Sequence, residues 1–328
     1  MVGVEVELAA QASKLLSHWD LPPQKPRLIK YRENAVFCVL FGDGRKAALR
    51  LHRPGYRTRA ELDSELALMA HLRRRGTPVP EPTRTTSGEF LVPFEPVHGQ
   101  TQYADLIGWI EGEPLGESGR PLGLTENRSR AVFEAIGRET ARLHKAADSF
   151  GRPDEFRRPS WDEDGLLGEQ PVWGRFWDCP AFDAGDRRYL TGLRDELRGR
   201  LASVAPALDH GLIHADLVRE NIIVQGDAVA FIDFDDCGFG FRLFDLATTL
   251  LRNRKEPHYP AIRDALLAGY ASLRPQASWE FGRLPLFLLL RSLTYIGWAA
   301  SRLELPDVRQ RLMRYVAEAR EFARFELG

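Results

Sequence analysis

The stretch LIHADLVRENIIVQGDAVAFIDFDD, residues 212–236, concentrates polar residues between short apolar segments. His214, Asp216 and Asn221 share one loop that follows an apolar pair. Two further apolar runs, joined by a glycine-containing turn, predict a β-hairpin with Asp233 at its end. The pattern therefore predicts that the hairpin brings Asp233 back to the loop that carries the other three side chains.

These residue types suit one kind of chemistry. Transfer of a phosphoryl group from a nucleotide needs oxygen ligands for Mg²⁺ beside a carboxylate that accepts a proton from the attacking hydroxyl. We therefore expect Asn221 and Asp233 to bind Mg²⁺ between the phosphates of ATP, and Asp216 to orient and deprotonate the acceptor. Position and electrostatics would then provide most of the catalysis.

The residues before this stretch begin with strands and continue with helices. Apolar runs at 35–41 and 46–52 surround a glycine turn and predict a β-hairpin. Apolar residues at helical spacing follow over 59–75, and a second helix is predicted over 125–147. The order of elements predicts an α+β fold.

The character of the sequence changes from strands to helices near residues 107–112. We place the domain boundary there, with 1–108 as an N-terminal nucleotide-binding lobe and 109–328 as a C-terminal catalytic and acceptor-binding lobe. Residues 152–186 are rich in proline, tryptophan and charge, which predicts an irregular insertion with short helices.

The composition is that of an ordinary globular protein. The chain has 328 residues, of which 44% are hydrophobic and 28% charged, and 45 basic against 46 acidic residues give a formal charge of −1. This balance argues against a nucleic-acid-binding protein. Three separated cysteines, an N-terminus unlike a signal peptide and no long apolar run predict a reduced, cytoplasmic protein without membrane spans. The sequence gives no prediction of oligomeric state.

The ordered motifs resemble those of the aminoglycoside phosphotransferase and choline kinase superfamily, the small-molecule relatives of protein kinases. The HxDxxxxN loop at 214–221, the DFD-type motif at 233–235 and the later FDLATTLL carry the resemblance in the second half. In the first half, YRENAVFCV is similar to the loop that covers the phosphates, and LIGWIEGEPL to the hinge between lobes. The pattern is most similar to the bacterial subgroup of stress-response kinase A and type II homoserine kinases.

The resemblance implies a two-lobed protein-kinase-like fold, with a small β-rich N-lobe and a larger, mainly helical C-lobe, that uses ATP and Mg²⁺. It implies cofactor-binding or supporting roles for the following residues: Asn34, Arg50, Glu65, Ile107, Trp109, His214, Asp235 and Asp245. His214 would brace the loop rather than transfer a proton.

Three of these residues keep two interpretations each. Asn34 binds over the nucleotide or only initiates a turn. Asp235 assists a second metal ion or is a solvated turn residue. Asp245 is a buried brace for the loop backbone or an exposed carboxylate in the first turn of a helix.

Arg50 departs from the family pattern, which has a lysine at this strand position to bind the phosphates. The chain has 39 arginines and six lysines, so the replacement also reflects composition. A guanidinium group binds phosphate with a different geometry from an ammonium group. Lys46 is the second choice for this role. Glu65 is the expected helix partner of the cation, with Glu61 one turn earlier as the alternative.

Two glycines and three tryptophans also have an ordinary structural interpretation. Gly238 and Gly240 are interpreted as turn residues, because no strand–GxGxxG–helix unit surrounds them. Trp161, Trp173 and Trp177 are candidates for an acceptor pocket, with core packing as the more ordinary role for at least one of them.

The sequence motifs leave several classes of phosphate acceptor. Val218 lies where typical protein kinases have lysine, and no APE-type segment follows Asp233. These departures favour a small-molecule acceptor such as an amino alcohol, a homoserine-like compound or an aminoglycoside-like compound. The alternatives are a Ser/Thr protein kinase of the stress-response kinase A type, with protein serine or threonine as acceptor, and a nucleotide-binding pseudokinase.

Overall fold

A computed structural model describes residues 2–31, 34–95 and 101–327 of the chain. The chain forms two compact units. The first comprises Met1–Gly112, Ser149–Arg158 and Ala230–Ile232, and the second comprises Glu113–Asp148, Pro159–Val229 and Asp233–Gly328. The boundary at residue 108 stays a prediction. The α+β class, with a β-rich part and a helical part, is confirmed.

The first unit is built on an antiparallel sheet. Its strands are β1 (Arg27–Tyr31), β2 (Asn34–Leu40), β3 (Lys46–His52), β4 (Pro82–Thr83), β5 (Leu91–Phe94) and β6 (Gln102–Gly108). The strand order is β1-β2-β3-β6-β4, and β5 also pairs with β6. The predicted hairpin is confirmed as β2 and β3, whereas β1 was not predicted. The long β3–β6 pairing matters for the site because it aligns Arg50 with Asp105.

Two helices accompany this sheet: α1 (Val2–Leu15), followed by a 3₁₀ turn at Leu16–Trp19, and α2 (Arg59–Arg74). A capping box fixes the start of α2, since the Thr58 side chain accepts from the Glu61 backbone while the Glu61 side chain accepts from the Thr58 backbone. Gly76, with φ +80°, follows the end of the helix. The predicted helix over 59–75 is confirmed.

The remaining strands are short. They are β7 (Glu113–Pro114), β8 (Ser160–Trp161), β9 (His210–Ile213), β10 (Ile222–Gln225), β11 (Ala228–Phe231) and β12 (Gly238–Phe241). They form two three-stranded sheets, in the orders β11-β10-β7 and β8-β12-β9. The predicted hairpin after the HxDxxxxN loop is confirmed as β10 and β11.

Helices make up most of the second unit. They are α3 (Glu126–Asp148), α4 (Glu163–Leu167), α5 (Ala184–Val204), α6 (Arg242–Leu251), α7 (Tyr259–Ala271), α8 (Leu284–Ala300) and α9 (Val308–Leu327). Short 3₁₀ segments occur at Ala205–Ala207, Arg219–Asn221 and Pro275–Arg283. Within the described ranges, no helix combines the length and apolar composition that a membrane crossing needs.

Two glycines let α3 and α7 approach closely. A Cβ on Gly137 would lie 2.0 Å from the carbonyl oxygen of Leu266, and one on Gly269 would lie 2.0 Å from that of Glu134. Any side chain at either position would therefore separate the helices.

The interpretation of Gly238 and Gly240 as turn residues is wrong, because both lie in β12. A Cβ on Gly238 would approach the carbonyl oxygen of Pro159 to 2.2 Å, and one on Gly240 would lie 2.7 Å from side-chain atoms of Ile213 and Trp161. Glycine is required here for close packing between strands rather than for a turn.

Candidate active site

The backbone of the HxDxxxxN loop is held by a buried carboxylate. Asp245 is fully buried on α6, and its two oxygens accept hydrogen bonds from the backbone N–H of His214 (2.9 Å) and of Ala215 (2.7 Å). Ala215 has φ +66°, a conformation that costs a non-glycine residue about 1 kcal/mol or more. Asp245 therefore stabilises a strained loop, and the alternative of an exposed helix-terminal carboxylate is wrong.

A second layer orients Asp245. His144 on α3 lies with Nε2 3.0 Å from Asp245 Oδ2 and Nδ1 2.8 Å from the hydroxyl of Tyr270 on α7. Burial lowers the pKa of His144 to about 4, helped by the charge of Arg242. The neutral ring then donates through Nε2 to Asp245 and accepts at Nδ1 from Tyr270. Burial opposes charge on Asp245, but the hydrogen bonds from His144 and the loop backbone keep its pKa below the usual value.

The carboxylate of Asp216 is fixed at both oxygens. Arg291 Nη2 donates to Oδ1 at 2.6 Å, and Asn221 Nδ2 donates to Oδ2 at 3.0 Å. The Asp216 side chain keeps 23% of its surface exposed, whereas that of Arg291 is fully buried. Burial and the nearby charge of Asp233 raise the pKa of Asp216, and Arg291 opposes this rise. The group is therefore oriented by neighbours yet open on one side.

Asn221 and Asp233 suit a hard cation. The amide nitrogen of Asn221 is used by Asp216, so its oxygen is the ligand atom it offers. The negative charge of Asp233 acts on Asp216, and a divalent cation bound by Asn221 and Asp233 would relieve this repulsion. Among the described residues, no three His, Cys, Asp or Glu side chains converge as a metal cage. Mg²⁺ usually completes its shell with water and phosphate oxygens.

His214 and Asp235 are both buried. His214 is fully buried, its ring centroid lies 4.4 Å from that of Phe234, and its Nδ1 accepts from the backbone N–H of Asp216 at 3.3 Å. This geometry suits a brace. Asp235 is 8% exposed, so the alternative of a solvated turn carboxylate does not hold.

In the first unit, Arg50 bridges two buried carboxylates. Its Nε and Nη2 each donate to Asp105 at 2.8 Å, and its Nη1 donates to Glu65 at 2.7 Å. The Nε2 atom of His52 lies 2.6 Å from the same Asp105. Burial alone would raise the pKa of Asp105, but the charges of Arg50 and His52 lower it to about 2. Asp105, the partner of the arginine at position 50, was not among the residues predicted from the sequence.

Lys46 and Glu61, the alternatives to Arg50 and Glu65, have other partners. Lys46 forms an exposed ion pair with Glu111 at 3.0 Å, and Glu61 serves the α2 cap. Glu65 has a second cationic neighbour, since Arg158 Nη1 lies 3.8 Å from its Oε2. The structure thus joins Arg50 to Glu65 rather than to Glu61.

The other predicted nucleotide residues lie in or beside the same sheet. Asn34 is the first residue of β2, and its Oδ1 accepts from the Arg53 backbone at 3.4 Å. Ile107 is buried on β6, and Trp109 follows that strand with the Lys46 ammonium 5.9 Å from its ring. The neighbouring Arg32 and Glu33 of the YRENAVFCV motif lie outside the described residues.

The three tryptophans have different surroundings. Trp161 is fully buried and Trp177 is 8% exposed, so both pack in the core. Trp173 is half-buried, and the guanidinium of Arg291 lies 4.5 Å from its ring. Arg291 itself was missed, although an arginine after the apolar run 284–290 was a signal for a buried charge.

A β-rich unit and a helical unit that carries the HxDxxxxN loop define a phosphotransferase with a protein-kinase-like fold. Residues 28–284 match the sequence profile of the phosphotransferase enzyme family, APH. The chain belongs to this family. The resemblance found in the sequence is confirmed, as is its assignment to a kinase or phosphotransferase class of enzyme.

Relatives with similar sequences include proteins of two bacteria. An uncharacterized protein of Deinococcus radiodurans is 30% identical over 268 residues, which cover 79% of this chain and 72% of that protein. A homoserine kinase of Rhizobium johnstonii is 30% identical over 236 residues, covering 69% of this chain and 65% of that protein. The match thus spans less than two thirds of the homoserine kinase.

Two solved structures cover almost the whole chain. A microcompartment-associated aminopropanol kinase has a TM-score of 0.79 and 31% identity, with 94% of each chain covered. An amicoumacin kinase, solved with AMP-PNP, Ca²⁺ and Ami, has a TM-score of 0.75 and 19% identity, with 97% of this chain and 95% of that chain covered. The second likeness shows the fold alone.

Proposed function

We propose that this protein transfers the γ-phosphate of ATP, in the presence of Mg²⁺, to the hydroxyl group of a small molecule. The observation that carries the proposal is the Asp216 carboxylate, held at one oxygen by Arg291 and at the other by Asn221. A carboxylate fixed in this way, with part of its surface open, is suited to accept the proton of an incoming hydroxyl.

Asn221 and Asp233 are the proposed Mg²⁺ ligands. When bound, the ion would neutralise charge on the phosphates and orient them. Asp245, through the backbone of His214 and Ala215, keeps the loop in the conformation that presents Asp216 and Asn221 together. His214 and Asp235 complete the surroundings of these groups in a supporting role.

Nucleotide binding is assigned to Arg50, with Glu65 as its partner, and to Asn34, Ile107 and Trp109. A guanidinium has five N–H donors, and the bonds to Asp105 and Glu65 use three of them. The remaining donors on Nη1 and Nη2 are the ones proposed to meet phosphate oxygens. Asp105 and Glu65 hold the guanidinium plane in a single orientation for that contact.

A small-molecule acceptor is favoured over a protein. Two of the similar proteins with described substrates are a homoserine kinase and an aminopropanol kinase, and both of these substrates are small hydroxyl compounds. Two other candidates, a Ser/Thr protein kinase and a pseudokinase that binds nucleotide without turnover, are separated by the same experiment.

The experiment measures ADP formation from ATP and Mg²⁺ with a panel of acceptors: homoserine, amino alcohols, an aminoglycoside and a serine-containing protein. Turnover should need a small acceptor and should fall about 100-fold or more in Asp216→Asn. The control is Asp227→Asn, which removes an exposed carboxylate from the nearby hairpin turn and should leave the rate unchanged. Transfer to protein serine alone, or nucleotide binding with no turnover on any acceptor, would refute the proposal.

A further inference from the structure

Arg252, which follows α6, is a half-buried cation without an acidic partner. Its guanidinium lies 3.7 Å from the centroid of the Tyr295 ring and 5.5 Å from that of Tyr315. Among the described residues, no carboxylate lies within ion-pair distance of it, and its Nε is buried without a hydrogen-bond partner. Guanidinium groups in such surroundings are normally matched by an anion.

Arg291 on α8 contacts the same ring. Its guanidinium lies 4.6 Å from the Tyr295 centroid, and its Nη2 donates both to Asp216 and to the Tyr295 hydroxyl, at 3.1 Å. Its Nε and Nη1 are fully buried and have no hydrogen-bond partner among the described residues. Two guanidinium groups therefore flank one tyrosine, and only Arg291 has a carboxylate partner.

Both cations are linked to the proposed base by contacts. Arg291 donates to Asp216 Oδ1 at 2.6 Å, and Arg252 stacks on Tyr295, the ring that Arg291 also contacts. The side of Asp216 that faces these arginines would repel the ammonium group of an amino alcohol. It would attract a carboxylate, which can accept parallel hydrogen bonds from a guanidinium.

We propose that the acceptor carries a carboxylate beside its hydroxyl, as a hydroxy amino acid does, and that Arg252 binds this carboxylate while Arg291 holds Asp216 in position. The inference rests on the proposed role of Asp216 and names the acceptor class of that same site. The hydroxyl would meet Asp216 and the carboxylate would meet Arg252, so the two ends of the acceptor are distinguished by charge.

The test uses matched pairs that differ only in the carboxylate. L-Homoserine is compared with 3-amino-1-propanol, and L-threonine with 1-amino-2-propanol. In each pair we expect the carboxylated member to have the higher kcat/KM, by about tenfold or more, since hydrogen bonds to charged groups are of that strength. Equal values, or a preference for the amino alcohols, would overturn the proposal.

Variants locate the effect. Arg252→Gln should reduce the ratio within a pair about tenfold, mainly through KM of the carboxylated member, and Arg252→Lys, which keeps the charge without the planar fork, should give an intermediate ratio. Arg254→Gln is the matched control, because Arg254 stacks on Phe322 at 3.7 Å and should leave the ratio unchanged. If Arg252→Gln slows both members equally, Arg252 acts on the transferring phosphate instead and the proposal is wrong.

A binding measurement separates this inference from the proposed function. Calorimetry of the four compounds with the AMP-PNP and Mg²⁺ complex needs no turnover. Tighter binding of the carboxylated members, lost in Arg252→Gln, would support the carboxylate site even if no phosphate were transferred. Binding that is equal within each pair, or undetectable for all four compounds, would overturn the carboxylate site. Absence of turnover, by contrast, would count against the role of Asp216.

Discussion

Arg50 on β3 and Asp105 on β6 are register partners, joined by two 2.8 Å hydrogen bonds from the Nε and Nη2 of the guanidinium. The residues are 55 positions apart in the chain, and both are buried. A lysine at position 50 could not make this bidentate contact, because it presents a single ammonium group. The arginine and the aspartate therefore form one unit, which explains how the chain differs from the lysine pattern of its family.

Arg50→Lys should destabilise the protein by about 2 kcal/mol, since the buried Asp105 loses part of its hydrogen bonding. Denaturation by urea measures the change. Adding Asp105→Asn to this variant should recover part of the lost stability, because position 105 then no longer buries a poorly paired negative charge. Lys46→Arg, at the exposed start of the same strand, is the control and should change stability by less than about 0.5 kcal/mol. Full stability of Arg50→Lys would contradict the interdependence of Arg50 and Asp105.

His144 should make the protein sensitive to mild acid. Its pKa is about 4 in the folded chain, below the ordinary value of 6.5, so the unfolded chain binds more protons between these values. The contribution of neutral His144 to the free energy of unfolding is therefore fully present above pH 6.5. It decreases by about 3 kcal/mol as the pH drops toward 4. Urea denaturation between pH 4 and 7 measures the slope. His144→Gln should flatten it, and an unchanged slope would show that His144 is not the group that titrates.

Asp245→Asn should impair the loop. An amide can keep one oxygen as acceptor, but its NH₂ group then faces the N–H of His214 or Ala215, which both donate in the native protein. We expect a loss of about 2–4 kcal/mol in stability and a lower kcat in the fraction that folds. Tyr270→Phe, which removes only the hydroxyl bonded to His144, should cost about 1 kcal/mol. Equal effects of the two substitutions would argue against Asp245 as the main brace.

Gly269→Ala should separate α3 from α7, because the new Cβ would lie 2.0 Å from the backbone oxygen of Glu134. A loss of more than about 2 kcal/mol is expected. Gly199→Ala is the control on α5, where a Cβ would have nothing within 4 Å, and it should stabilise the protein by about 0.5–1 kcal/mol. Thermal unfolding compares the two variants. Similar shifts in both would show that the close approach of α3 and α7 is not needed.

Local patterns in the sequence predicted much of the fold. The β2–β3 hairpin, α2 with its stop at Gly76, and the β10–β11 hairpin depend on neighbours close in the chain, such as glycine turns and regularly spaced apolar residues. The motif residues of the loop were also found, because their order and spacing are visible in one stretch.

Contacts between residues far apart in the chain were not predicted from the sequence. Nothing near Asp105 indicates that it faces Arg50, and Gly238 and Gly240 resemble turn residues until Pro159 and Trp161 are brought against them. Arg291 lies 75 positions from Asp216, so its role depends on the packing of α8. Such contacts are decided by tertiary structure, which overrides local preference.

The most direct measurement of the central claim is ³¹P NMR of a reaction mixture that contains ATP, Mg²⁺ and a hydroxy amino acid such as L-homoserine. Wild type and Asp227→Asn should both convert the γ-phosphate signal into that of a phosphate monoester, and Asp216→Asn should do so about 100-fold more slowly. Formation of the ester at an unchanged rate in Asp216→Asn would contradict the assignment of Asp216 as the group that accepts the hydroxyl proton.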